Sequence, residues 1–160
     1  MNIKTVGALA MLALVAAACS EDKPTTTTTS GGGTVAAAPG IVPGSEEDLK
    51  TNVGDRVFFD FDRSGLRADG KDVLDRQSAW LGKYGSVNVQ ISGNCDDRGT
   101  EEYNIALGQH RANAARDYLV AKGVAAARIT TISYGKDRPV AVGDNEDSWK
   151  QNRNAITEVK

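Results

Sequence analysis

Cysteine and histidine are scarce in this sequence, and positive charge is not in excess. The 160-residue chain has two cysteines, one histidine and a formal net charge of -2. One histidine leaves no clustered ligand set such as H-E-x-x-H, so the sequence predicts no catalytic metal site and no cofactor. The acidic balance argues against nucleic acid as a partner, because neutralising phosphates requires a basic face. A chain of this length has room for one domain with appendages.

Long hydrophobic runs are also missing. The apolar run at residues 6–18 is shorter than the ~20 residues that a bilayer-spanning helix needs. Because the run follows Lys4, it is typical of a secretory signal peptide, which we assign to residues 1–18. Small residues directly precede Cys19, a pattern that resembles a bacterial lipobox and predicts lipidation of that cysteine. The alternative is ordinary secretion with cleavage after Ala18.

A low-complexity segment follows the cysteine. Residues 20–45 contain a threonine run, a glycine triplet and three prolines. Such a composition cannot bury enough apolar surface to offset the ordering of its backbone. We therefore expect residues 19–47 to comprise the lipidated N-terminus and a disordered linker, and residues 48–160 to form one folded domain.

The folded part alternates strand and helix patterns. Strands are predicted at residues 56–61, 87–91 and 129–134, with a fourth at 155–159. Helices are predicted at residues 68–84 and 101–122, the second one ending at the C-cap glycine Gly123. This order predicts an α/β two-layer sandwich, in which a mixed β-sheet carries helices on one face.

The most informative segment, residues 93–118, begins as a turn rich in glycine and charge and continues as a helix. Asn104, Leu107 and Arg111 follow an i, i+3, i+7 pattern and therefore lie on one stripe of that helix. Asp96 lies in the loop before the helix, where the chain can fold back towards the stripe. The pattern predicts a carboxylate and a guanidinium held apart, with backbone N–H groups of the helix start between them. Such a site suits a small zwitterion with an ammonium and a carboxylate.

The same segment resembles the peptidoglycan-binding motif of OmpA-like domains, most closely that of the lipid-anchored, peptidoglycan-associated members. The resemblance extends over residues 56–154 through FDFD, GNCDDRGTEEYN, LGQHRANA, ISYGKDRP and NRNA, in the family's order and spacing. It implies that Asp96 and Arg111 clamp the stereocentre of meso-diaminopimelate in the peptidoglycan stem peptide. It also implies that Asn104 lies near this site and that Asp62 belongs to its other wall.

Each of these residues has a structural interpretation as well. Arg111 could form an internal ion pair with an acid of the 93–102 loop, and Leu107 could be plain core packing. Asn104 could be a solvated helix residue, and Asp62 could cap the turn that follows it.

Two positions depart from the family pattern, and one short motif resembles part of a calcium-binding loop. Asn94 stands where the family has histidine, and Asn154 replaces the second arginine of an "NRR" motif after Arg153. Both amides can form hydrogen bonds, but the second guanidinium of the family is lost. This loss puts the role of the last strand in doubt more than the clamp of Asp96 and Arg111. The D-x-D-x-S-G pattern from Asp60 matches half of an EF-hand loop, but its twelfth position is Lys71, so calcium is not predicted.

Catalytic machinery is not indicated. A Cys95–His110 pair would need a third group to orient the base, and none stands out. Asp96 and Asp97 are adjacent, unlike the separated carboxylates of a glycosidase. If Cys19 carries lipid, Cys95 has no partner, so no disulfide framework is expected either. The sequence therefore predicts a binding protein and not an enzyme.

The resemblance implies an outer-membrane lipoprotein whose domain faces the periplasm and binds peptidoglycan non-covalently. The implied partners are TolB and other components of the Tol-Pal system, which draws the outer membrane inward during cell division. Ser20 after the cysteine, where an aspartate would direct retention elsewhere, is consistent with outer-membrane sorting. Two alternatives remain open, an OmpA-like wall anchor without a Tol partner and a peptidoglycan hydrolase domain.

Overall fold

Four β-strands form one mixed sheet in the computed structural model, which describes residues 40–160. The strands are β1 (Arg56–Phe58), β2 (Val89–Asn94), β3 (Ile129–Gly135) and β4 (Asn154–Val159), and their order across the sheet is β1-β4-β2-β3. β4 pairs antiparallel with both β1 and β2, whereas β2 pairs parallel with β3. The predicted mixed sheet of an α/β fold is therefore confirmed, including its fourth strand.

Several sequence predictions concern the N-terminal region. The signal peptide at residues 1–18, Cys19 and the linker up to residue 39 lie outside the described residues. In the part of the chain from residue 40 onwards, no helix combines the length and the apolarity needed to cross a membrane.

The packed part of the chain includes residues that the sequence analysis assigned to the linker. A short helix, α1 (Glu46–Asp48), leads into a π-helical turn (Leu49–Val53). Its N-cap is Ser45, whose hydroxyl accepts a hydrogen bond from the backbone N–H of Asp48. The carboxylate of Asp48 in turn accepts a hydrogen bond from the indole of Trp80 at 2.9 Å. These contacts tie the start of the domain to the helix that contains Trp80.

Two long helices cover one face of the sheet. α2 (Ala68–Lys83) and α3 (Glu101–Ala121) each end one residue before the predicted limit. α3 begins where the Thr100 hydroxyl accepts a hydrogen bond from the Tyr103 N–H, and it ends just before Gly123, whose φ of +99° suits a residue without a Cβ. Apolar side chains of both helices and all four strands form one hydrophobic core.

A pair of glycines brings α3 unusually close to the sheet. A Cβ on Gly93 of β2 would lie 1.8 Å from the carbonyl oxygen of Gly108 in α3, and one on Gly108 would lie 2.3 Å from Oγ of Ser133. Only residues without side chains permit this approach. It sets the distance between the end of β2 and the helical stripe that carries Arg111.

Three differences from the predicted elements bear on the site. β1 ends at Phe58, not at residue 61, because its ladder with β4 ends there and the chain turns at residues 61–62, where Asp62 adopts a left-handed φ of +58°. β2 continues to Asn94 because, as a central strand, it pairs on both sides to that point. The helix α4 (Glu146–Asn152) was not predicted, since seven residues are too few for a clear hydrophobic period.

Candidate functional site

A cleft of about 240 Å³ opens between the loop after β1, the loop after β2 and the first half of α3. Asp62, Asp96, Asn104, Leu107 and Arg111, the five residues predicted to bind a ligand, all line this cleft. Its other lining residues are Phe61, Cys95, Arg98, Gly99 and Tyr103. The fold thus brings together side chains that are almost 50 positions apart in the chain. Their contact with a ligand remains a prediction.

Arg111 is buried, with 1% of its surface exposed, yet it forms no ion pair within residues 40–160. Its guanidinium is held by backbone carbonyls, with Nε donating to Arg63 at 2.9 Å, Nη1 to Asn94 at 2.7 Å and Nη2 to Asp60 at 3.3 Å. The predicted alternative, an ion pair with an acid of the 93–102 loop, is therefore not what the structure contains. One hydrogen of Nη2 is left without an acceptor in this part of the chain.

The charge of Arg111 is consequently solvated by dipoles and not neutralised by a carboxylate. Burial lowers the pKa of Arg111, because desolvation disfavours the charged form. Arginine nevertheless remains protonated, since its ordinary pKa lies above about 12. A buried cation without a counter-charge favours an anionic ligand, because the ligand would supply the missing charge.

Asp96 is also buried and sits in an ionic network. Its carboxylate accepts hydrogen bonds from Arg98 Nη2 at 2.6 Å and from Arg153 Nη1 at 3.1 Å. Burial alone raises the pKa of the Asp96 carboxyl, but the hydrogen bonds from these two guanidinium groups outweigh it, so the pKa lies below its ordinary value. The cleft therefore keeps a carboxylate ionised at neutral pH, as the sequence analysis requires.

The remaining predicted residues shape the walls. Asn104 is buried, and its amide Nδ2 donates to the carbonyls of Arg98 and Thr100 at 2.8 and 3.0 Å, so it holds the loop to the helix and is not a solvated residue. Leu107 is half-buried and lies outside the core cluster, which leaves its side chain to the cleft. The exposed carboxylate of Asp62 accepts a hydrogen bond from the hydroxyl of Tyr103, which joins the two walls.

The two positions that depart from the family pattern contact each other. Asn94 and Asn154 are directly opposite in the β2–β4 register, and Asn94 Nδ2 donates to Asn154 Oδ1 at 2.8 Å. Both amides are buried, and a neutral pair of this kind needs no counter-charge. The last strand also anchors the cleft, because its neighbour Arg153 donates to Asp96 and, at 2.5 Å, to Glu146.

Sequence reasoning missed the aromatic surroundings of the cleft. Arg98 lies between two rings, with its guanidinium carbon 4.0 Å from the Phe61 centroid and 4.1 Å from that of Trp149. Trp149 belongs to α4, which the sequence did not predict, and it lies far along the chain from the loop it contacts. The only available signal was the FDFD motif, which includes Phe61.

Cys95 is a buried thiol without catalytic surroundings. Its Sγ lies 3.4 Å from the Asn104 carbonyl oxygen and 3.3 Å from Arg111 Nη1, and His110 is exposed on α3. Burial, the main cause, raises the pKa of the Cys95 thiol to about 11. At neutral pH the group is therefore a thiol and not a nucleophilic thiolate.

Comparison with known proteins agrees with the fold. A model of the OmpA family matches residues 58–153, which include all five predicted ligand-binding residues. The chain therefore belongs to the OmpA family.

Its relatives narrow the assignment further. The peptidoglycan-associated lipoprotein of Rhizobium meliloti (strain 1021) is 54% identical over 120 residues, which cover 75% of this chain and 68% of the relative. That of Mesorhizobium japonicum is also 54% identical over 120 residues, covering 75% and 71%. The crystal structure of the peptidoglycan-associated lipoprotein from Burkholderia pseudomallei matches with a TM-score of 0.65 and 40% identity, over 66% of this chain and 90% of that one. These matches place the chain among the peptidoglycan-associated lipoproteins, which are not enzymes, as the sequence predicted.

Proposed function

We propose that the cleft binds the peptidoglycan stem peptide by holding the zwitterionic stereocentre of meso-diaminopimelate at both poles. Arg111 receives the carboxylate and Asp96 receives the ammonium. The observation that carries this proposal is the buried guanidinium of Arg111, which has no carboxylate partner within residues 40–160. A ligand carboxylate would complete its coordination.

Burial makes such a clamp effective. An exposed ion pair contributes only about 0–1 kcal/mol, because water and salt screen it. Here both poles are nearly inaccessible to water, with 1% of Arg111 and 4% of Asp96 exposed. Leu107 adds an apolar side chain to the lining of the cleft. Asn104 Oδ1 has no hydrogen-bond donor among residues 40–160 and can accept one from a ligand peptide group.

The fixed position of Arg111 would also make the clamp selective for ligand geometry. Its guanidinium is fixed by carbonyls from the loop after β1 and from the end of β2, so it cannot follow a ligand by rotating. A preorganised donor loses little entropy on binding and discriminates by geometry. A ligand whose ammonium and carboxylate share one carbon fits better than one that carries only a single charge.

For the whole protein we propose a lipid-anchored tether between the outer membrane and the cell wall. Cys19 would carry the lipid, the linker would span the gap, and the domain would face the periplasm. Anchoring raises the local concentration of the wall polymer, so a weak site can still hold. We further propose TolB and other Tol-Pal components as partners during division, on the strength of membership among the peptidoglycan-associated lipoproteins.

Sedimentation with purified sacculi tests the binding half of this proposal. The protein should co-sediment with sacculi, and free meso-diaminopimelate should release it in a dose-dependent manner. Retention at saturating meso-diaminopimelate would show that the wall is bound elsewhere.

A pull-down with purified TolB tests the partner half. Capture of the protein would support the Tol-Pal role, and its failure under conditions where sacculi still bind would favour a wall anchor without a Tol partner. Release of muropeptides from sacculi by the purified protein would contradict a purely binding role.

A further inference from the structure

All four lone-pair positions of the Asp96 carboxylate accept hydrogen bonds from other residues within the range 40–160. Oδ1 accepts hydrogen bonds from the backbone N–H and from Nε of Arg98, at 3.4 and 3.3 Å. Oδ2 accepts from Arg98 Nη2 at 2.6 Å and from Arg153 Nη1 at 3.1 Å. An ionised carboxylate offers about four lone-pair sites, so these four donors fill it. An incoming ammonium must displace one of them.

Arg153 is not the donor that can leave. Only 6% of this residue is exposed, and its guanidinium also donates to the Phe59 carbonyl at 3.2 Å and to Glu146 at 2.5 Å. Removing it from Asp96 would disrupt three buried or half-buried contacts at once.

Arg98 can leave at lower cost. Its side chain is 32% exposed, and every side-chain hydrogen bond it makes within the described part of the chain goes to Asp96. The rings of Phe61 and Trp149 contact its guanidinium from both sides, and Phe61 is itself 57% exposed. A second carboxylate is close enough to pair with a displaced Arg98, since Glu146 Oε2 lies 3.9 Å from Arg98 Nη2.

We infer that Arg98 sets a threshold for ligand binding, because it occupies Asp96 until a ligand displaces it. This inference rests on the proposed function, in which Asp96 receives the ligand ammonium. A simple amine must compete with a two-pronged guanidinium and gains only one ion pair. A zwitterion competes for Asp96 while Arg111 holds its carboxylate, so it gains two contacts for the one it disrupts. Arg98 thereby excludes lysine side chains and polyamines and admits amino-acid stereocentres.

The test compares two probes by isothermal titration calorimetry. Free meso-diaminopimelate carries both charges, and pentane-1,5-diamine carries the ammonium groups without carboxylates. With Arg98→Ala, binding of both probes should tighten by up to about fivefold, the effect of removing a partly exposed competing ion pair. The diamine, which we expect to bind the unaltered protein too weakly to detect, should become measurable.

Arg67→Ala is a matched control. Arg67 forms the same two-pronged contact with an aspartate two residues away, through Nε at 3.1 Å and Nη2 at 3.0 Å to Asp69, but it lies outside the cleft. Its replacement should change the affinity for neither probe. Arg98→Lys, which keeps the charge and loses the fork, should give an intermediate affinity and serves if Arg98→Ala does not fold.

The outcomes separate this inference from the proposed function. If the unaltered protein does not bind meso-diaminopimelate, the proposed function fails. If it binds, but Arg98→Ala weakens the interaction or leaves both affinities unchanged, Arg98 is a ligand contact or a bystander and the inference is overturned.

Discussion

Replacing Arg111 with lysine should weaken stem-peptide binding while preserving the charge of the cleft. Lysine is a point charge on a flexible stem, whereas arginine presents a planar fork that can grip a carboxylate. In the structure the fork is fixed by the carbonyls of Arg63, Asn94 and Asp60, so the direction of its remaining N–H is set. A hydrogen bond to a charged group contributes about 1.5–3 kcal/mol, which corresponds to about ten- to 150-fold in the dissociation constant.

The assay is titration calorimetry with a tripeptide that ends in meso-diaminopimelate, supported by sacculus sedimentation. Lysine also loses bonds to the backbone carbonyls, so the variant will be less stable, and folding must be checked by circular dichroism at the assay temperature. Arg128→Lys is the matched control, because Arg128 likewise donates to the backbone carbonyls of Leu81, Tyr84 and Val87 but lies outside the cleft. It should lose stability and keep its affinity.

A change in the ligand separates the loss of the carboxylate contact from the loss of stability. When the carboxylate at the clamped stereocentre is converted to a carboxamide, the unaltered protein should lose affinity and Arg111→Lys should lose much less. The reasoning is refuted if Arg111→Lys binds the tripeptide as tightly as the unaltered protein, or if both proteins respond equally to the amide. Such a coupling measurement reports on the contact and not on stability.

Three further predictions concern the pH dependence of stability, the close contact at Gly108 and the modification of Cys19. Hydrogen bonds, first that from Asn52, lower the pKa of Asp48 to about 2, so its contribution to stability is complete above the ordinary carboxyl pKa of about 3.9 and is lost as the pH falls towards 2. Urea titrations across this range should show the loss, and Asp48→Asn should flatten it; an unchanged slope would contradict the assignment. Gly108→Ala should destabilise the fold by about 1–3 kcal/mol or more, because its Cβ would lie 2.3 Å from Oγ of Ser133. Gly82→Ala is the control, since it has open space around it and should stabilise α2 by about 0.5–1 kcal/mol. Equal urea midpoints for the two variants would argue against the close approach of α3 to the sheet. Mass spectrometry of the mature N-terminus should find Cys19 acylated, and an unmodified residue there would remove the membrane anchor.

The sequence predicted the elements whose signals are local. The end of α3 was predicted within one residue from its C-cap glycine, Gly123. The shared stripe of Asn104 and Arg111 follows from the helical period alone. The placement of Asp62 in the same cleft came from the family resemblance and not from a local rule, and neither showed how each residue is held.

What the sequence did not predict depends on contacts between distant segments. Arg111 was expected to choose between a ligand and an acid, yet its partners are backbone carbonyls, which no side-chain pattern reveals. The pairing of Asn94 with Asn154 depends on the β2–β4 register. Trp149 reaches Arg98 from a helix too short to give a periodic signal.

The cleft therefore differs in one respect from the open clamp that the sequence suggested. Both poles are already engaged, Arg111 by carbonyl dipoles and Asp96 by two guanidinium groups. Ligand binding must exchange contacts at Asp96 and complete them at Arg111. Under the proposed function, the carboxylate end would contribute affinity, and Arg98 would set a binding threshold at the ammonium end.

A crystal structure of the protein with a stem peptide tests the central claim most directly. We predict that the diaminopimelate carboxylate lies within hydrogen-bonding distance of Arg111 Nη2 and that the ammonium replaces Arg98 beside Asp96. A diamino acid located elsewhere, or a cleft in which Arg111 makes no ligand contact, would contradict it.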